Sequence, residues 1–107
     1  MKPSQRYSWI ELYLTKNNNI EVSVTDADFV DAYVRECQVK HRQRNWGAHS
    51  CPSLGRDLAN MRQYSMLKRS RSSISGMAGM GFPTWVWSYR IPEYIWINRK
   101  ERAKGGI

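Results

Sequence analysis

Hydrophobic and polar residues alternate over Trp9–Leu14, placing Ile10, Leu12 and Leu14 on one face of an extended chain, and they alternate again over Ile20–Val24. Between these runs Lys16-Asn17-Asn18-Asn19 supplies turn residues that tolerate positive φ, so the spacing predicts a β-hairpin within residues 1–25. A helix over 7–15 competes with it, because the segment is short and apolar on both faces. After Thr25 the period changes. Phe29, Tyr33 and Cys37 recur every four residues with Val30 and Val34 beside them, which is one apolar stripe of a helix. Thr25 or Asp26 can cap this helix, and Asp28 and Asp31 fall where its dipole favours anions. It is expected to run to about residue 41, where Lys40, Arg42 and Arg44 gather.

Residues 45–51 fit neither period and read as an irregular turn or a very short helix, with Trp46 as a packing residue. Pro52 suits the first position of a second helix. Over Pro52–Ser65 the stripe Leu54, Leu58, Met61 and Ser65 faces inward, and Ser53, Arg56, Ala59, Asn60 and Gln63 face the other way. Met66–Arg71 alternates as a strand, Ile74–Gly81 with its three glycines reads as a loop, and Thr84–Ile91 is the clearest strand of the chain. On that strand Trp85, Trp87, Tyr89 and Ile91 share a face. Glu93–Asn98 is expected to add a short strand or turn, and residues 99–107 a basic, flexible tail. The predicted class is α+β, with helices packed on a small antiparallel hairpin in one domain over residues 1–98. In that scheme residues 26–91 are the core, and an added N-terminal β-hairpin over 1–25 extends it.

Charge changes this picture more than composition does. The 107 residues suffice for one domain, and 41% hydrophobic with 12% aromatic residues suffices for a core. No apolar run of about 18 residues is present, so no membrane partner is expected. The segment MKPSQRYSWIELYL has no apolar stretch of signal-peptide type, and two cysteines make no disulfide framework, so a cytoplasmic location is expected. The net charge is +8, distributed as −2 over residues 1–34, +7 over 35–75 and +3 over 76–107. So concentrated an excess points to a polyanionic partner, and 11 Arg against 6 Lys favours phosphate and guanine-edge contacts.

The stretch Ser53-Leu54-Gly55-Arg56-Asp57-Leu58-Ala59-Asn60-Met61-Arg62-Gln63-Tyr64-Ser65, followed by Met66-Leu67-Lys68-Arg69-Ser70-Arg71 and a returning strand Trp85-Val86-Trp87-Ser88-Tyr89-Arg90, resembles the recognition helix and wing of the winged helix-turn-helix DNA-binding superfamily. The resemblance covers about residues 26–91 and implies no particular member. It departs from the family at two places. Asn45–Cys51, containing Gly47, stands where the family has its second helix, and Ser65 stands where a glycine commonly ends the recognition helix.

The resemblance implies double-stranded DNA as partner, with helix 52–65 in the major groove and the 72–83 wing in an adjacent groove. An exposed helix face carrying Ser53, Arg56, Asn60 and Gln63 suits base edges, since arginine pairs bidentately with guanine and asparagine with adenine. Arg42, Arg44, Lys68, Arg69 and Arg71 suit phosphates. A stand-alone basic domain is similar in format to small phage or mobile-element regulators and DNA-transaction accessory factors. Two alternatives remain: RNA binding, and an adaptor or inhibitor that meets a protein partner or a second copy through Trp- and Met-rich surfaces.

Every Cys and His lies between residues 37 and 51, and Cys37, His41, His49 and Cys51 could close a structural zinc site. Cys37 already continues the apolar stripe, however, and the spacing matches no zinc module, so no metal or cofactor is expected. The acids Glu11, Asp26 and Asp57 read as residues of caps and faces. Neither histidine has an adjacent nucleophile with an orienting carboxylate, so an enzyme is not expected.

Overall fold

Leu12 decides the conformation of the N-terminal segment. In the computed structural model, which describes residues 1–39, 51–73 and 85–97 and the backbone of 42–43 and 49–50, Leu12 is 51% exposed while Ile10 and Leu14 are fully buried. A strand would have put all three on one face. Helix α1 (Pro3–Lys16) separates them, burying positions 10 and 14 one turn apart. The predicted hairpin over 1–25 is therefore corrected, and the competing helical period is the one that forms. Its start is encoded by Pro3 in the first turn and by the Gln5 side-chain carbonyl, which accepts the Lys2 backbone N–H at 3.0 Å.

The asparagines predicted as turn residues do turn the chain, as a helix stop. Asn18 and Asn19 take φ of 59° and 54°, and the Asn19 N–H donates back to the Leu14 carbonyl at 2.7 Å. The Asn19 side chain then pairs with the backbone of Ile91 in both directions, donating to its carbonyl at 2.9 Å and accepting its N–H at 2.8 Å. Three residues on, Val22 and Tyr89 exchange both backbone hydrogen bonds at 2.8 and 3.0 Å. Residues 19–22 thus cover one edge of the C-terminal strand. They are built into the fold and do not form an added extension.

Helix α2 (Ala27–Cys37) buries the predicted stripe of Phe29, Tyr33 and Cys37 together with Val30. Asp26 stands at the N-cap, but its carboxylate accepts the N–H of Ser23 at 2.7 Å and caps no later turn. The helix ends at Gln38 in the left-handed region (φ 54°), before the expected residue 41. Arg42–Gln43 (β1) and His49–Ser50 (β2) then pair antiparallel as a minimal ladder. The irregular turn and Trp46 expected between them lie outside the described residues.

Helix α3 (Pro52–Gln63) buries Leu54, Leu58 and Met61 as its spacing requires, and Asp57 as well. It closes with Ser65 at φ 60°, the Met66 N–H reaching the Met61 carbonyl at 2.8 Å and the Ser65 N–H reaching that of Arg62 at 3.0 Å. This is the paired hydrogen-bond pattern that usually carries glycine, here met by serine. Strands β3 (Lys68–Ser73) and β4 (Trp85–Arg90) form an antiparallel ladder, with Arg69 opposite Tyr89 and Arg71 opposite Trp87. A helical turn at 93–97 replaces the expected strand or turn. The loop predicted over 74–81 and the tail over 99–107 lie outside the described residues.

One core joins these elements, drawing Ile10 and Leu14 from α1, Phe29, Val30 and Tyr33 from α2, Leu54, Leu58 and Met61 from α3, and Tyr89 and Ile91 from the hairpin. Trp9 and Tyr13 pack their rings 6.2 and 5.0 Å from Phe29, so α1 and α2 meet through aromatic faces. The architecture is α+β, helices against a two-stranded antiparallel sheet.

Candidate nucleic-acid interface

A helix can present side chains to a partner only if its opposite face is anchored. For α3 the anchor includes a charge. Asp57, 1% exposed, accepts a bidentate pair from Arg6 of α1, Nε to Oδ2 at 2.7 Å and Nη2 to Oδ1 at 3.1 Å. The Tyr33 hydroxyl of α2 donates to the same carboxylate at 2.5 Å. With its hydrogen committed to Asp57, the Tyr33 oxygen accepts from Ser53 Oγ at 3.1 Å. One carboxylate thus ties three helices. Asp57 is not the face residue its sequence context suggests. Burial and the bond to Asp57 push the Tyr33 hydroxyl well above its ordinary value, while the hydrogen bond to Asp57 holds the Arg6 guanidinium charged.

This anchor sorts the residues expected to read bases. Ser53 and Asn60 lie on the flank of α3 that meets the other helices: Ser53 bonds Tyr33, and Asn60 Nδ2 donates to the Tyr7 hydroxyl at 3.3 Å. Both are half-buried. Arg56 and Gln63 are exposed, with Ala59 between them. They are seven residues apart, about 10.5 Å along the helix axis, or roughly three base-pair steps. The expected row of four polar side chains is therefore two in free solution-facing positions. Arg62, a cation absent from that row, is exposed on the adjacent flank.

The hairpin places the phosphate candidates more closely than their spacing alone indicates. Along the face shared by Ile91, Tyr89, Trp87 and Trp85, exposure rises from 0% at Ile91 and 6% at Tyr89 to 36% at Trp85. The core thus takes the inner end and leaves the outer end on the surface. There the Arg69 guanidinium carbon lies 4.0 Å over the Trp87 ring and that of Arg71 4.6 Å over Trp85, and the two indoles meet edge to face at 5.0 Å. Cation–π attraction holds each guanidinium over an indole, and N–H groups not turned to the ring can meet an anion. Among the described residues the ion pairs are Arg6–Asp57 and Arg35–Glu36, neither of which involves the hairpin cations. Lys68 is exposed and stands opposite Arg90 on the other face. That face is held by Ser72 and Ser88 hydroxyls 2.6 Å apart and by the Ser70 hydroxyl donating to Glu21 at 3.3 Å.

The Trp–Arg stacking was absent from the sequence reading, although strict alternation on both strands carried its signal: same-face residues in an antiparallel ladder meet. Arg42 lies in β1, with its side chain outside the described residues, as is Arg44 entirely. Of the candidate zinc ligands, Cys37 and Cys51 are buried free thiols, with Cys37 pushed up to about 11 by burial, and the side chains of His41 and His49 lie outside the described residues. Among the described residues no helix is long and apolar enough to cross a membrane. Comparison with protein-family models, with curated proteins and with solved structures returned no match.

Proposed function

We propose that this chain is a small double-stranded DNA-binding protein of winged-helix type, with the exposed face of α3 in the major groove and the β3–β4 hairpin on the flanking backbone. The observation that carries the reading is the pair of guanidiniums, Arg69 and Arg71, held over Trp87 and Trp85, together with an exposed helix face bearing Arg56 and Gln63. Same-face residues two apart on a strand repeat at about 7 Å, so the two cations form a short, pre-ordered row for successive phosphates. The order of elements supports the same reading, since three helices precede the hairpin. The left-handed Ser65 fills the role of the expected glycine.

The roles follow from chemistry. Arg56 addresses a guanine edge and Gln63 an adenine edge, while Lys68, Arg69 and Arg71 neutralise phosphates without reading sequence. With two exposed readers in place of four, base discrimination is modest and the backbone contributes most of the affinity. A protein of this format suits a regulator or an accessory factor of DNA transactions. The test is selection of bound sequences from a randomised duplex pool. The wild-type chain should enrich a short motif, and Arg56→Ala should relax it at one position at a cost of about 1–3 kcal/mol. Failure to retain any duplex DNA, or equal retention of duplex RNA, overturns the reading.

A further inference from the structure

An open groove of about 880 Å³ lies where the end of α3, the start of β3 and the helical turn at 93–97 converge. Its volume falls within the roughly 300–1,000 Å³ typical of small-molecule sites. Arg62, Lys68 and Arg69 supply three cations to its walls against the single carboxylate of Glu93. Leu67, Pro92 and Ile97 supply apolar surface. Tyr94 lines it with 63% of its surface exposed, an aromatic ring that the core does not use. Ser65 and Trp87 complete the wall, Trp87 already covered by the Arg69 guanidinium at 4.0 Å.

Cationic, aromatic and planar surfaces in one groove match a nucleotide: a flat base with an anionic phosphate attached. Position favours the same occupant. Arg62 belongs to α3 and Lys68 and Arg69 to β3, so a DNA backbone passing from one proposed contact element to the other crosses the mouth of the groove.

We propose that this groove receives one unpaired nucleotide of the bound DNA, its base against Tyr94 and the guanidinium plane of Arg69 and its phosphate against Lys68 and Arg62. The inference rests on the duplex-binding reading above and names its substrate class: duplexes carrying a bulged, frayed or otherwise unstacked nucleotide. Glu93 accepts a hydrogen bond from an exocyclic amino group, so an unpaired cytosine is preferred to an unpaired thymine.

The experiment is fluorescence anisotropy with three labelled DNAs of one sequence: fully paired, with one extra unpaired cytosine, and with one extra unpaired thymine. Wild-type protein should bind the cytosine-bulged duplex about tenfold tighter than the paired one, the scale of one stacked base, and the thymine-bulged duplex less tightly. Tyr94→Ala should abolish the preference while leaving affinity for the paired duplex unchanged, and Tyr94→Phe should retain it. The exposure of Tyr94 makes both variants compatible with folding. Equal affinity for paired and bulged DNA, or a preference that survives Tyr94→Ala, overturns the groove assignment while duplex binding stands. Binding to none of the three DNAs overturns the duplex reading and this inference with it.

Discussion

Removing either partner of the Arg6–Asp57 pair should be costly, and the two removals should not cost the same. Asp57 receives three hydrogen bonds, two from Arg6 at 2.7 and 3.1 Å and one from Tyr33 at 2.5 Å, and its side chain is 2% exposed against 17% for Arg6. Arg6→Met leaves the carboxylate in place, screened from water and held by one hydroxyl. Asp57→Asn leaves a guanidinium at the margin that can turn toward solvent and that still donates to the Met1 carbonyl. Breaking a buried pair typically costs about 3–5 kcal/mol. Arg6→Met should fall in that range and Asp57→Asn about 1–2 kcal/mol below it, because the orphaned charge is better hydrated. A domain of this size has roughly 5–15 kcal/mol in all, so both variants should remain measurable. Urea unfolding followed by tryptophan fluorescence reads the difference, with unchanged slope confirming a common unfolded state. The double replacement Arg6→Met/Asp57→Leu should recover part of the loss, since it leaves no buried charge. If Asp57→Asn costs more than Arg6→Met, or if both cost under about 1 kcal/mol as exposed pairs do, the anchoring argument is refuted.

Backbone geometry gives two stabilising substitutions. Ser65→Gly at φ 60° and Gly55→Ala, where the new Cβ would meet Val24 at an ordinary 4.0 Å, should each add about 0.5–1 kcal/mol in thermal or urea unfolding; a loss at either site contradicts the assigned conformation. Burial raises Cys37 from 9.0 to about 11 and raises Tyr33 in the same direction, so both groups hold their protons more tightly when folded. Stability should be level up to about pH 9 and fall by an order of 2 kcal/mol as pH rises through 11, and Cys37→Ala should make the decline shallower; a flat profile to pH 11 contradicts the burial of these groups. Trp85→Ala should release Arg71 and weaken duplex binding by about 0.5–1 kcal/mol in anisotropy, without shifting the urea midpoint by a comparable amount.

Strong helical periods were legible without the structure. The Phe29–Tyr33–Cys37 stripe and the Leu54–Leu58–Met61 stripe need no tertiary knowledge, because each buries one face of a helix. The N-terminal segment misled because Trp9, Ile10, Tyr13 and Leu14 are all apolar, and a run that is apolar on both faces satisfies either period. Pro3 was the discriminating signal. Asp57 was illegible for a different reason: a carboxylate five residues into a helix reads as surface until Arg6, 51 positions earlier, is known to reach it. Asn60 was misplaced because its partner Tyr7 belongs to α1, whose alternation suits a strand, and Ser53 because its bond to Tyr33 depends on the packing of α2 against α3, which no local pattern fixes. The hairpin register was implicit in the alternation of Arg69 and Arg71 with serines and of Trp85 and Trp87 with Val86 and Ser88. What alternation could not say is that the inner aromatics enter the core while the outer two stay on the surface beneath arginine.

The most direct test of the proposed function is the salt dependence of duplex binding. Each neutralised phosphate lowers log K by about 0.9 per decade of salt, so Lys68, Arg69 and Arg71 together predict a slope of at least about −2.7 in magnitude. Arg69→Ala and Arg71→Ala should each reduce that slope by about 0.9 and weaken all duplex sequences alike. No binding near 50 mM salt, or a slope that neither substitution changes, would contradict the account.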